Sequence, residues 1–467
     1  MVAVAPIRSE LTRDQQIEHV LNRLAYGPRP GDDERVRAMG VERWIALQLS
    51  PDRLDDRTTD SIVSSYSALG TPTSELTAMF REVRVARRDS MRLPDTRRTL
   101  QLSLAQVSSA KLARAVTSER QLYEQMVDFW ENHFSVFAGK GQTRLFIPAY
   151  DRDVIRPYAL GKFRDLLGAV AKSPAMLFYL DNAQSAADSV HRTLSSRRLR
   201  EAQPAGSRPL SPGLIVPPGG VRPPRGLNEN YARELMELHT LGVDGGYTQR
   251  DVIEVARALT GWSIDPREGA FVFRPAIHDA EEKTVLGSRL SALGGIEDGE
   301  QVLDILARHP STARHITRKL VVRFVSDSPP PALVDRCAAV FSRSDGDIRE
   351  TLRCVITSPE FFSKAAYRAK VKTPLELVAS ALRATGASVD NTPRGAQIVA
   401  RLGQPIFGRQ TPDGWPDRAD DWVNAGAMVN RVNFGLALAS ARVPGVIVGN
   451  VDPAIGASLS TPEFQRR

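Results

Sequence analysis

The sequence predicts a mainly all-α protein, an irregular multi-helix globular assembly with one small β-hairpin insertion. Three observations carry this prediction. Apolar residues recur at helical spacing through most of the 467-residue chain. Gly and Pro cut the periodic stretches into short, uneven segments. Strand-like runs occur only in 270–287. No repeat at solenoid periods is present, and the uneven lengths argue against a coiled coil.

The elements follow in order. Stretch 15–25 carries Ile17, Val20, Leu21 and Leu24 on one face and stops at Gly27-Pro28. Helices are predicted over 32–39 and 41–49, divided by Gly40, and over 76–87 and 99–117; the charged stretch 87–98 reads as exposed. A strong helix over 119–133 ends in a glycine loop at 138–141. Helices over 147–160 and 163–172 precede Ser173-Pro174, which opens another to 180. Residues 183–226 are rich in Ser, Arg, Pro and Gly and read as a mobile loop. A helix pair over 228–241 and 248–260 turns at Gly245-Gly246. Short strands at 271–273 and 284–286 make the hairpin. Helices follow over 301–309, 311–325, 331–341, 348–358, 374–385 and 394–402, then a Pro/Gly/Trp-rich loop over 404–422 and a last helix over 424–441. The expected organisation is an N-terminal helical region 1–118, a central region 119–300 holding the mobile loop and the hairpin, and a C-terminal region 301–467, together one continuous globular unit.

Composition bounds the function. Hydrophobic residues are 42% and charged residues 25%, ordinary globular values that exclude global disorder. A net charge of +8 favours an anionic partner, but no dense basic block with interleaved aromatics makes nucleic acid the expected one. The two cysteines, Cys337 and Cys354, lie among apolar residues and read as buried free thiols; a disulfide framework and a Cys-rich zinc site are both excluded by count. No window approaches ~18 continuous apolar residues, so no membrane span is expected. The start holds neither a signal peptide nor a twin-arginine pair, so the chain as given reads as cytoplasmic; a chain trimmed of an export leader would read the same. The nucleophile elbow, Walker A loop, dinucleotide fingerprint and His-Glu-x-x-His motif are all missing.

Candidate chemistry gathers between Asp128 and Asp279. In 228–242, Asn228 suits an N-cap and Gly242 a C-terminal stop. Tyr231, Leu235 and Leu238 make an apolar stripe, and Asn230, Glu234 and Glu237 a polar one. Arg233 can pair with Glu237 four residues on, and His239 falls on the apolar side. Helix-borne carboxylates of this kind serve as metal ligands or acid/base groups in helical cores; the competing and commoner reading is a stripe that is solvated or tied up in structural pairs with Arg233. Asp251 reads as the third position of a capping box opened by Thr248. Upstream, Met126, Phe129, Trp130 and His133 share one face and Asp128 and Asn132 another, so His133 is either a core histidine or the lining of a pocket. Asp151, Asp153, Asp181 and Asn182 read as caps, and His278-Asp279 as exposed turn chemistry.

Several strings together resemble a known bacterial family, catalogued as domain of unknown function eighteen hundred. They are Leu21-Asn-Arg-Leu-Ala-Tyr-Gly-Pro28, Asp128-Phe-Trp-Glu-Asn-His-Phe134, 173–182, 228–246, Gly261-Trp262, His278-Asp279, Ala369-Lys-Val-Lys-Thr-Pro374, Gly403-Gln-Pro405 and Trp415-Pro416. The resemblance covers nearly the whole chain. It implies no reaction. It does imply frequent export by twin-arginine leaders, and genes that neighbour a family similar to alkaline-phosphatase and sulfatase folds.

Three functional expectations follow. The first is an enzyme-like site in which Glu234, Glu237, His133 and His239 are catalytic, Asn132, Asn230 and Arg233 bind substrate, and Glu234, Glu237 and His239 ligate a divalent metal. The second is a non-catalytic scaffold for a phosphatase/sulfatase-like partner, with the same residues in a structural network. The third is an anion or nucleic-acid binder acting through the Arg-rich loop.

Overall fold

Capping chemistry sets where the helices begin. In this computed structural model, which describes residues 8–85, 94–188, 190–194, 226–390, 392–449 and 451–467, α1 (Arg13–Arg23) opens at Thr12 with a capping box closed by Gln15. Next come α2 (Asp32–Met39), α3 (Val41–Gln48), α4 (Arg57–Ser64) and α5 (Thr73–Val85). The long α6 (Pro94–Thr117) leads to α7 (Gln121–His133). α8 (Thr143–Ala149) runs into a π-helical turn over Tyr150–Ile155, and α9 is Phe163–Lys172. α10 (Pro174–Tyr179) starts as expected, with Ser173 as cap and Pro174 at its first position.

α11 (Glu229–Met236) is capped by Asn228 and continues as a π-helical turn, Glu237–Leu241, that stops at Gly242. α12 (Gln249–Ala258) has the Thr248–Asp251 capping box that the sequence predicts. The second half contains α13 (Ile296–Arg308), α14 (Pro310–Phe324), α15 (Pro331–Arg343), α16 (Ile348–Ile356), α17 (Pro374–Ala384), α18 (Arg394–Arg401), α19 (Ala419–Trp422), α20 (Ala425–Ala439) and α21 (Pro453–Ser458). None of the described helices is long and apolar enough to cross a membrane.

The chain is mainly all-α, with three small two-stranded antiparallel sheets among the described residues. The single hairpin expected over 270–287 is instead two. β1 (Trp262–Ile264) pairs with β2 (Phe271–Phe273), and β3 (Lys283–Val285) pairs with β4 (Ser288–Leu290). Leu286 and Gly287, at φ 48° and 78°, make the two-residue turn that closes β3 on β4. β5 (Ser388–Val389) joins β6 (Val446–Ile447).

The largest core cluster reaches from Leu11 to Phe407, so it crosses both expected regional boundaries. A second cluster, from Tyr26 to Leu459, packs around α17 and α20. α6 serves both: Ala110 and Ala113 face the first, Leu112, Ala115 and Val116 the second.

Two further expectations need correction. Cys337 and Cys354 are not free thiols: a disulfide joins α15 to α16, with the Cα atoms 5.7 Å apart. The short connection between the two helices brings neighbouring faces together, and the count of two leaves each its one partner. The flanks of the expected mobile loop are also held: the Ala187 and Leu194 N–H groups donate to the carbonyls of Ile277 and His278. Residues 195–225, including the Arg-rich tract, lie outside the described residues, as does 86–93 of the expected exposed stretch.

Candidate functional site

α7 places its polar residues at the meeting point of several elements. Asp128 and Glu131 are buried, one turn apart, and both take the Lys111 ammonium from α6, at 2.7 and 2.5 Å. Asp128 also takes Arg323 of α14 at 2.9 Å. Arg323 extends the network to Glu376 at 3.0 Å, Asp417 at 3.1 Å and the Gln125 side-chain carbonyl at 2.7 Å. Glu376 in turn takes Arg467 at 2.9 Å. On the far side of Glu131, Asp151 takes Arg156 at 2.9 Å and Arg114 at 3.3 Å. Asp151 is therefore a buried ion-pair partner and not a cap, because the π-helical turn aims it inward. Burial pushes the Glu131 carboxyl up against the pull of Lys111, and the Asp151 charge adds to the rise. Asp151 itself is lowered, its burial outweighed by Arg156 and Arg114, so Glu131 holds the proton between them. A cavity of about 40 Å³ lies against Lys111, Asp128, Glu131, Asn132 and Trp415.

Asn132 is a clamp. Its amide donates to the Trp415 carbonyl at 2.8 Å and accepts the Trp415 N–H at 2.6 Å. Gly414 makes this approach feasible: its φ is +77°, and a Cβ there would lie 2.2 Å from the Asn132 carbonyl oxygen. The strings that carry the family resemblance thus meet in space.

The next residue, His133, turns into an aromatic layer. Its ring lies 6.2 Å from both His239 and His315. Its Nε2 is 3.1 Å from the His239 carbonyl oxygen, so Nε2 carries the proton and Nδ1 has no partner. Gly242 lets the third ring in, since a Cβ there would come 2.8 Å from His315 Nδ1. All three imidazoles are neutral. Burial, aided by the Lys319 charge, holds His133 well below its usual value, His239 at about 3 and His315 at about 4.

Lys319 of α14, one turn from both His315 and Arg323, is the residue that sequence reasoning missed. It is half-buried, and its amine has no hydrogen-bond or ion-pair partner among the described residues. Burial pulls it down to about 8, against the opposing charges of Asp417 and Asp413. Its only sequence signal is the spacing His315, Lys319, Arg323, a polar stripe at i, i+4, i+8 on an otherwise ordinary amphipathic helix.

The remaining expected residues divide. Glu234 is half-buried and also without a partner among the described residues; burial, then the neighbouring Glu237, raises its carboxyl, and the charge of Asp413 adds to the rise. Glu237 accepts the Tyr247 hydroxyl at 2.9 Å. Arg233 does not pair with Glu237. It donates to Gln249 at 2.9 Å and faces Glu229, one turn earlier, at 3.9 Å. Asn230 is exposed. Among the described residues no three His, Cys, Asp or Glu side chains are grouped to hold a metal ion; His239 faces the core while Glu237 faces Tyr247.

A second polar cluster corrects the reading of His278-Asp279 as exposed. Both are fully buried. His278 lies 3.1 Å from Asp298, Asp279 takes Arg257 at 2.7 Å, and Lys283 takes Asp298 at 2.7 Å. The second hairpin, together with Ala187 and residues 192–194, covers what a single hairpin would have left at a tip. Asp181 and Asn182 are not caps either: Asp181 takes Lys140, and Asn182 donates to the carbonyls of Leu259 and Trp262.

Fold and site define a helical protein with a buried, paired charge network and two half-buried ionisable groups, Lys319 and Glu234, that have no hydrogen-bond or ion-pair partner among the described residues. The chain belongs to the family described as "Protein of unknown function (DUF1800)", whose model matches residues 19–466. No curated protein and no solved structure matches the chain.

Proposed function

We propose that the chain is an enzyme-like protein whose acid–base centre lies where α11, α14 and the loop after α18 meet. Lys319 is the base or nucleophile, Glu234 the companion carboxyl, and His133, His239 and His315 the neutral wall beside the amine. One observation carries the reading. The buried charges around α7 are paired, whereas Lys319 and Glu234 are half-buried and have no hydrogen-bond or ion-pair partner among the described residues. Leaving such groups unpaired costs stability, and functional sites are where that cost is usually found. An amine that gives up its proton near neutrality is a competent base or nucleophile.

The test is acylation of Lys319 by a neutral amine reagent as a function of pH, read by peptide mass spectrometry. The expected midpoint is about 8. A midpoint at the ordinary lysine value of about 10.4 would remove the reading.

A non-catalytic scaffold for a phosphatase- or sulfatase-like protein draws on a different observation, the three ion pairs that Arg323 makes with Asp128, Glu376 and Asp417. Such a network fixes helix packing without any chemistry. Capture of a phosphatase-like protein from the native source, undiminished by Lys319→Met, favours this second reading. The Cys337–Cys354 bond supports a working location in an oxidising compartment. Alkylation of protein drawn from its source without reductant tests that: two blocked thiols would point back to the cytosol.

A further inference from the structure

Lys372 belongs to one of the strings that carry the family resemblance, yet the acid–base centre does not use it. The segment 370–372 is tied to the chain's final residues: Lys372 N–H donates to the Gln465 carbonyl at 2.9 Å, and Arg467 N–H to the Lys370 carbonyl at 2.8 Å. This register turns the Lys372 side chain inward, where it is 3% exposed. Its Nζ lies 4.0 Å from the centre of the Phe464 ring. No hydrogen bond or ion pair reaches that amine among the described residues. The nearest carboxylates are committed elsewhere. Glu18 is bound by Arg368 and by the Tyr367 hydroxyl, and Glu376 by Arg323 and Arg467.

Lys372 lines a cavity of about 330 Å³. Asn22 of α1, Ser380 of α17, and Thr461 and Phe464 of the C-terminal segment form other walls beside the Glu18–Arg368 pair, and the exposed Asp33, Glu463 and Arg466 stand on its rim. Behind Lys372 sits a second cation in surplus. Arg431 is buried and donates Nη1 to the Lys372 carbonyl at 2.9 Å, while its Nε and Nη2 have no partner. The chamber therefore has an apolar face in Phe464, a wall where Glu18 and Arg368 answer each other, an exposed rim of mixed charge, and at its depth the Lys372 ammonium, which no carboxylate pairs among the described residues.

We propose that this cavity, bounded by α1, α17 and the C-terminal segment, binds a small anionic molecule whose carboxylate or phosphate group is held by the Lys372 ammonium. The ligand's body lies along Phe464, and its volume is limited by the chamber. Burial lowers the amine to about 7 in the empty protein. Binding of an anion raises it again and takes up a proton. This site shares no residue with the proposed acid–base centre, so the two stand or fall separately.

The test uses the full-length protein with inorganic phosphate in one arm and butyrate in the other. The first readout is the rate of Lys372 acylation by a neutral reagent. The bound anion should slow it about tenfold when present at about ten times its Kd. Lys319 in the same digest is the internal control and should be unaffected. Protection by phosphate alone identifies a phosphate-bearing ligand, and protection by butyrate alone a carboxylate. The second readout is saturable, anion-dependent thermal stabilisation, present in the wild type and lost in Lys372→Met. That variant removes a buried charge without a partner and so should fold; if it does not, the protection experiment on the wild type still decides. No protection in either arm overturns the proposal, and so does equal protection of Lys319.

Discussion

Arg323 and Glu234 show how differently two charged side chains on neighbouring helices are employed. Arg323 answers Asp128, Glu376 and Asp417 at once, and all of these except Asp417 are nine-tenths buried. Arg323→Met would leave three carboxylates facing one another without it. Lys111 still answers Asp128 and Arg467 still answers Glu376, so the expected loss is about 3–5 kcal/mol and not a complete failure to fold. A lower urea midpoint with unchanged helical circular dichroism is the expected result, and an unchanged midpoint would show that the network is not structural. Glu234→Gln and Glu237→Gln act on half-buried groups outside the network. Each should keep the midpoint within about 0.5 kcal/mol, since Glu234 has no partner to lose and glutamine can still accept the Tyr247 hydroxyl at position 237. If Glu234→Gln unfolds the chain, the carboxylate is part of the framework and its assignment to the acid–base centre fails.

Among the elements, α15 and α16 are the pair joined covalently. The bond closes a loop with a sequence separation of 17 residues, for which chain entropy gives about 3 kcal/mol. Unfolding in the presence of a reductant, or of the Cys337→Ser, Cys354→Ser double variant, should show a loss of that order; a loss near zero would mean that the bond is strained or not formed. Element starts were largely legible in the sequence, because a cap is local chemistry: Ser173-Pro174, Thr248 with Asp251, and Asn228 each begin the helix their side chains announce. Partners were less so. Which strand β2 joins depends on Trp262, outside the 270–287 window, and a period-two pattern does not name its neighbour. His278-Asp279 reads as a loop tip because the residues covering it, Ala187 and 192–194, come from more than 80 positions upstream. The polar stripe of α11 could be drawn from spacing alone, but its phase relative to the core could not. Lys319 was hidden for the same reason: an amphipathic helix offers no sign that one of its lysines will find no counter-ion.

Four interior histidines are kept neutral, with His309 also lowered by burial, and the combined effect of the four should govern the protein's behaviour in acid. His19 is held well below its usual value by burial and then by Arg23, His133 by burial and then by Lys319, and His239 and His315 are brought to about 3 and about 4. In the unfolded chain each returns to about 6.5. As pH falls below that value the unfolded chain takes up protons that the native protein refuses. The stabilisation is therefore complete above about pH 6.5 and is lost as pH falls toward the folded values, at about 1.4 kcal/mol per pH unit for each histidine. Glu131 works in the opposite sense in this window, because its raised carboxyl is protonated in the folded state and ionised in the unfolded one; it offsets about one of the four. Carboxylates lowered by their cation partners, such as Asp128 and Asp151, lose their contribution only below the unfolded carboxylate range and do not overlap. Urea midpoints should thus fall steeply between about pH 6.5 and pH 5, with a net uptake of more than one proton on unfolding. His239→Phe fills the same aromatic layer against Phe134 without a titrating group, and should reduce that uptake by about one proton while leaving stability near pH 8 similar. A midpoint that stays flat across this range would mean that the histidines are reached by water and charge in place, which would also remove the neutral wall from the proposed acid–base centre.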